Sequence, residues 1–161
     1  MWENRIIQEG EESPDQLLAN PQNWRIHPKH QQDALETVMD RVGWVQRVIV
    51  NKTTGHVVDG HLRVAMAISR NEKTVPVVYV EISPDEEALV LATLDPLSAM
   101  AGTDGEKLTE LLRDLPNMGA DVDGLLSELH SGLIIPEDNR PIDETAMADT
   151  ENECPKCGFQ W

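Results

Sequence analysis

In "GHVVDGHLRVAMA", Gly55–Ala67, an apolar β-type run ends on Asp59, a glycine follows, and a segment free of helix breakers opens at His61 with Arg63 close behind. A strand, a glycine turn and a helix start together make an anion site. The first backbone N–H groups of a helix have no partner within it, and the helix dipole adds partial positive charge at that end. Gly60 lets a phosphate approach the backbone, Arg63 can fork onto phosphate oxygens, and His61 can donate a hydrogen bond or move a proton. Each residue alone also fits a plainer reading: a turn glycine, a cap at Asp59, a surface cation.

Working outward, "WVQRVIV" (44–50) is rich in β-branched residues, "NKTTG" makes a turn, and "HVVD" resumes, which predicts a β-hairpin. Upstream, Ala34, Leu35, Val38, Met39 and Val42 recur at helical spacing and Gly43 follows at the capping position, predicting a helix over 31–42. Downstream, His61 to Arg70 reads as a helix and "TVPVVYVEI" (74–82) as a buried strand. Ser83, Pro84 and Glu86 form a capping box that opens a helix to about Leu94. "TDGE" repeats the signature at Thr103 and Glu106, ahead of a face of Leu108, Leu111, Leu112 and Leu115 and a shorter helix in "DVDGLLSELHSGL". The expected fold class is α+β, a small mixed sheet with packed helices, followed by a helical extension and a disordered acidic tail.

At 161 residues the chain holds one ordinary domain plus tails. The segments divide as a lead-in (1–19) whose "RII" can pair as an edge strand, the α+β domain (20–102), the helical extension (103–135), an acidic, proline-containing linker (136–153) and a cysteine-bearing tail (154–161). No run of about 18 apolar residues is present, and "MWENRIIQEGEE" lacks the basic flank and apolar core of a signal peptide. The expected location is the cytoplasm, with no membrane partner.

The net charge of −16 is unevenly spread. Residues 24–80 hold eight Lys/Arg against five Asp/Glu, whereas the remainder holds five against 24. A mildly basic block between acidic flanks disfavours indiscriminate duplex binding by the whole chain, which needs many uncompensated phosphate contacts. Direct DNA contact is therefore expected to be weak or indirect.

Cys154 and Cys157 are the only cysteines, too few for a disulfide framework. "CPKCG" has the form of half a zinc site. Two further thiolates from another subunit, a histidine, a redox role or no function all remain open. His27 and His30, three apart, fit capping and loop hydrogen bonds better than metal binding. Trp24, Trp44 and Trp161 fit packing better than a base-stacking platform.

"NWRIHPKHQ" (23–31) together with "VVDGHLRVAMA" carries a resemblance that neither stretch carries alone. The region from about Asn20 to Leu115 resembles the N-terminal domain of the ParB family, in the wider ParB/sulfiredoxin superfamily. It resembles in particular ParB-like domains of phages and mobile elements, including those fused to DNA-modification methyltransferases, whose opening is matched here by Asn23, Arg25, His27, Pro28 and Gln31.

The resemblance implies a nucleoside triphosphate, CTP or ATP with Mg²⁺, held at Gly60, His61 and Arg63, with Arg25 as a second clamp and Asn23 and His27 in the same binding set. Asp59 and His61 become the candidate catalytic pair for hydrolysis or for metal-dependent nuclease chemistry. His61 stands where the sulfiredoxin cysteine would, so sulfinic acid reduction is not expected. His61, Leu62 and Ala65 also depart from the acidic and arginine residues usual in the partition proteins. The implied function is nucleotide binding in phage or mobile-element DNA transactions. The alternatives are a non-catalytic adaptor that docks a methyltransferase or terminase-like partner and a phosphotransferase resembling the free-serine kinases; among partners, a second copy of the chain in a homo-oligomer is also expected.

Overall fold

The computed structural model describes residues 1–101, 104–115 and 119–131. The acidic linker, Cys154, Cys157, Trp161 and the proposed cap Thr103 lie outside the described residues. The described chain packs as two compact units, one of residues 1–25 and 46–96 and the other of 26–45 with the described residues from 97 onward.

The first unit is built on a four-stranded mixed sheet of β1 (Ile6–Glu12), β2 (Val48–Asn51), β3 (Val57–Asp59) and β4 (Val75–Val80), in the order β1-β4-β2-β3. β2 and β3 form the expected antiparallel hairpin, β4 lies parallel to β2, and β1 closes the far edge antiparallel to β4. In β4 the side chains of Val75, Val77 and Tyr79 turn inward while the residues between them are half-buried. This is the period of two that a strand with one covered face requires. Backbone of the segment around Leu18 bridges to His56, and Val57 N–H donates to the Leu18 carbonyl at 2.9 Å, so the β3 edge is partly covered.

Helix α2 (His61–Ser69) packs on β2 and on a 3-10 turn at Pro14–Gln16. It buries His61, Leu62, Val64, Ala65, Met66 and Ala67, six of its nine residues, so it lies inside the unit rather than on its surface. Helix α3 (Pro84–Ala99) begins with the expected capping box: Ser83 N–H donates to Glu86 Oε2 at 2.8 Å, and Glu86 N–H donates to Ser83 Oγ at 3.3 Å. Ser83→Ala is expected to lower stability by about 1 kcal/mol in urea unfolding.

Three elements depart from their expected bounds by more than two residues. β2 starts at Val48 rather than Trp44, because pairing with β4 begins at Val48 opposite Val77 and β3 ends opposite Ile49. α3 runs through Pro96 to Ala99 instead of stopping near Leu94. The missing proline N–H forgoes one bond to the carbonyl of Ala92, an exposed residue whose carbonyl can turn to water. β1 extends well past "RII" into polar residues, since its partner strand, not its own composition, holds it.

The second unit holds α1 (Lys29–Val42), α4 (Gly105–Asp114) and α5 (Ala120–Ser131), with α5 packed on α1 and α4 on α5. Gly43 ends α1 at φ +77°, its N–H donating to Met39 at 2.8 Å. The cap of α4 is Asp104, whose carboxylate accepts from Lys107 N–H at 3.1 Å. Among the described residues, no helix is long and apolar enough to cross a membrane.

Candidate functional site

β3 delivers Asp59 to its end, Gly60 turns the chain, and α2 starts at His61. Gly60 has φ +100°, in the left-handed region that favours glycine, and its carbonyl already accepts the first helical bond, from Val64 N–H at 3.0 Å. A Cβ here would stand 3.3 Å from Val48 Cα, Val48 Cγ2 and Arg63 Nη2. The glycine therefore serves both the backbone angle and the close approach of the turn to β2.

Arg63, one turn into α2, folds back over this turn. Its Nη2 donates to Asp59 Oδ2 at 2.9 Å and its Nη1 to Gln46 Oε1 at 3.2 Å, while Gln46 Nε2 donates to the same Asp59 oxygen at 3.1 Å. Arg25 reaches the cluster from the other side, with Nη1 3.7 Å from Asp59 Oδ1 and Nε 2.6 Å from Asp95 Oδ2 on α3. Two guanidinium groups thus converge on one carboxylate beside the start of a helix. Arg25 Nη2 and Arg63 Nε are buried without a hydrogen-bond partner among the described residues, so the cluster holds donors that its own carboxylates do not use.

The remaining expected residues have other places. His61 is buried, and its Nε2 accepts from Asn20 N–H at 3.2 Å. The imidazole thereby ties the start of α2 to the loop around Asn20. Asp59, with both oxygens engaged by arginines, orders those cations in this conformation. Asn23 sits in the segment that carries Arg25, its Oδ1 accepting from Arg25 N–H at 3.4 Å. His27 belongs to the second unit, where its Nδ1 pairs with Gln31 Oε1 at 3.0 Å and its carbonyl accepts from Gln32 Nε2 at 2.7 Å. Among the described residues, no group of three or more His, Cys, Asp or Glu is placed to hold a metal ion.

Gln46 and Asp95 were not expected from the sequence, nor was the buried polar group behind the turn. Glu87, 4% exposed, accepts from Asn20 Nδ2 at 2.7 Å, Asn51 Nδ2 at 2.6 Å and Thr54 Oγ1 at 2.5 Å, with His56 Nδ1 3.7 Å away. Burial pushes its carboxyl up, but the hydrogen bonds from Thr54, Asn51 and Asn20 and the charge of His56 together outweigh this and hold it below the usual glutamate range. In sequence Glu87 is one more acid in the first turn of a helix, and nothing local marks it as buried.

No protein-family model and no curated protein matches the chain. Among solved structures, it is similar to the C-terminally truncated chromosome-partitioning protein ParB from Caulobacter crescentus complexed with CTP-γ-S. The two share 21% identity at a TM-score of 0.52 over 66% of this chain. The fold is ParB-like. The match spans 60% of that ParB chain. A Pnob8-like ParB-N domain is a further neighbour, at 14% identity and a TM-score of 0.44, covering 53% of this chain and 34% of that one. Within the ParB-like fold of this chain, Asp59, Gly60, Arg63 and Arg25 come together, whereas His61 points into the core.

Proposed function

We propose that the chain binds the phosphates of a nucleoside triphosphate, CTP or ATP with Mg²⁺ carried on the phosphates, at the turn from Asp59 to Arg63, and that it serves as a nucleotide-binding module in DNA transactions. The observation that carries this reading is the convergence of Arg63 and Arg25, with spare buried donors, on a left-handed glycine at the start of α2. The ParB-like fold supports it, since the similar ParB structure holds CTP-γ-S. In this reading Asp59 keeps both guanidinium forks ordered until phosphate oxygens take over part of their bonding.

The test is calorimetry against CTP, ATP and inorganic pyrophosphate in Mg²⁺, with wild type and Arg63→Ala. Loss of the fork is expected to weaken binding by roughly tenfold to a hundredfold, corresponding to about 1.5–3 kcal/mol for charge-assisted bonds. Equal affinity in the two proteins, or no binding by wild type, removes the reading.

A second reading, an adaptor docking a partner protein, is favoured by α4, which buries none of its residues and leaves Leu111 60% exposed. It predicts that Leu111→Glu abolishes partner binding and leaves nucleotide affinity unchanged.

A further inference from the structure

Glu87, Leu91 and Asp95 are four residues apart on α3 and so fall on one face of the helix, along about 12 Å of its length. Each takes a contact from the segment that carries Arg25. Asn20 Nδ2 donates to Glu87 Oε1 at 2.7 Å, Trp24 Nε1 donates to the Leu91 carbonyl at 3.2 Å, and Arg25 Nε lies 2.6 Å from Asp95 Oδ2. The segment is thus fastened to three successive turns of α3, in the same direction as the helix.

Asn20 also ties in the other side of the site. Its N–H donates to Nε2 of His61, the residue that follows Gly60, and its Oδ1 and carbonyl accept from the N–H groups of Gln22 and Asn23 at 2.9 Å each. One residue therefore fixes the turn leading to Arg25, the first turn of α3 and the start of α2. Glu87 makes a firm anchor because Asn51 and Thr54 hold its other oxygen.

We propose that Asn20 and Trp24 are positioning residues for Arg25: they key its segment onto the 87/91/95 face of α3 and so set where the second guanidinium meets Asp59. The consequence for phosphate affinity rests on the functional reading above, whereas the placement of Arg25 does not. The Asn20 side chain does not bond the Arg25 guanidinium, so any effect of Asn20→Ala on it has to pass through the segment, whereas the Trp24 ring also lies against the guanidinium, its centroid 6.0 Å from Cζ.

The test combines two measurements on Asn20→Ala and Trp24→Phe. Trp24 is more than half exposed, and phenylalanine keeps an aromatic ring at this position while removing the N–H together with part of the indole, so this variant stays folded even if Asn20→Ala does not. The first measurement is ¹⁵N relaxation of the arginine Nε–H groups in the ligand-free protein. Arg25 is expected to be ordered in wild type and more mobile in the variants, with Arg63 unchanged. The second is pyrophosphate affinity in a double-mutant cycle with Arg25→Ala. Asn20→Ala is expected to weaken binding about tenfold alone and to add little once Arg25 is gone. Unchanged Arg25 order in the folded variants overturns the proposal, as does a fully additive cycle. Absence of pyrophosphate binding by wild type instead overturns the phosphate reading, and the relaxation data then decide the placement of Arg25 alone.

Discussion

Glu87→Ala is expected to destabilise the protein by about 3 kcal/mol, because three donors lose their charged acceptor. The carboxylate is 4% exposed and accepts from Asn20, Asn51 and Thr54. Alanine leaves these donors in the interior without their acceptor, and each buried unsatisfied group costs about 1–3 kcal/mol. Asn51 also donates to the Ile82 carbonyl at 3.1 Å, so part of its capacity survives, which argues against a simple sum. Urea unfolding measures the change, and a loss below about 1 kcal/mol contradicts the network as described.

The same carboxylate predicts a direction with pH. Its folded-state value lies below the ordinary 4.5, so the unfolded chain takes up the proton first. The stability contributed by Glu87 is then complete above that ordinary value and is lost as pH falls through the lower folded value. In Glu87→Gln this part of the acid dependence is expected to be absent.

Gly60→Ala is expected to cost about 2–4 kcal/mol and to weaken phosphate binding as well. A φ of +100° is unfavourable for any side chain, by about 1–2 kcal/mol. The added Cβ would also press on the β2 backbone at Val48 Cα, 3.3 Å away, and on Arg63 Nη2 at the same distance. A backbone atom in a central strand gives way less readily than the end of a flexible side chain. Gly55→Ala is the control. Its φ is +79°, but the nearest atom is Leu18 Cδ1 at 3.8 Å, so only the conformational cost of about 1 kcal/mol is expected. The difference between the two variants in urea unfolding isolates the close approach, and equal losses contradict it.

Elements with strong local signals were legible from the residues alone. The capping box at Ser83 to Glu86, the glycine stop at Gly43 and the strand–Gly60–helix order each rest on a few neighbouring side chains whose preferences agree. The approach of Arg63 to Asp59 was not among them, since Asp59 ends a strand and the left-handed turn at Gly60 brings the two side chains together. The limits of such signals show in β1, whose Gln8 to Glu12 portion is polar and is held by hydrogen bonds to β4 across more than sixty residues of chain.

His61 illustrates the same limit at the site. Its place beside Gly60 was plain from the sequence, but the direction of its ring depends on Asn20, forty-one residues earlier, whose N–H faces the imidazole. Arg25 was expected as a clamp only through resemblance. That it reaches Asp59, and does so from a segment fastened along α3, follows from packing between elements distant in the chain. By itself the sequence determined the order of the elements and the strand–glycine–helix turn, because dihedral preference, capping and short-range periodicity act between neighbours. Only the tertiary structure decided which polar groups face the turn and which are buried behind it. Glu87, Asn20 and Asn51 are ordinary polar residues until folding removes water and leaves them one another as partners.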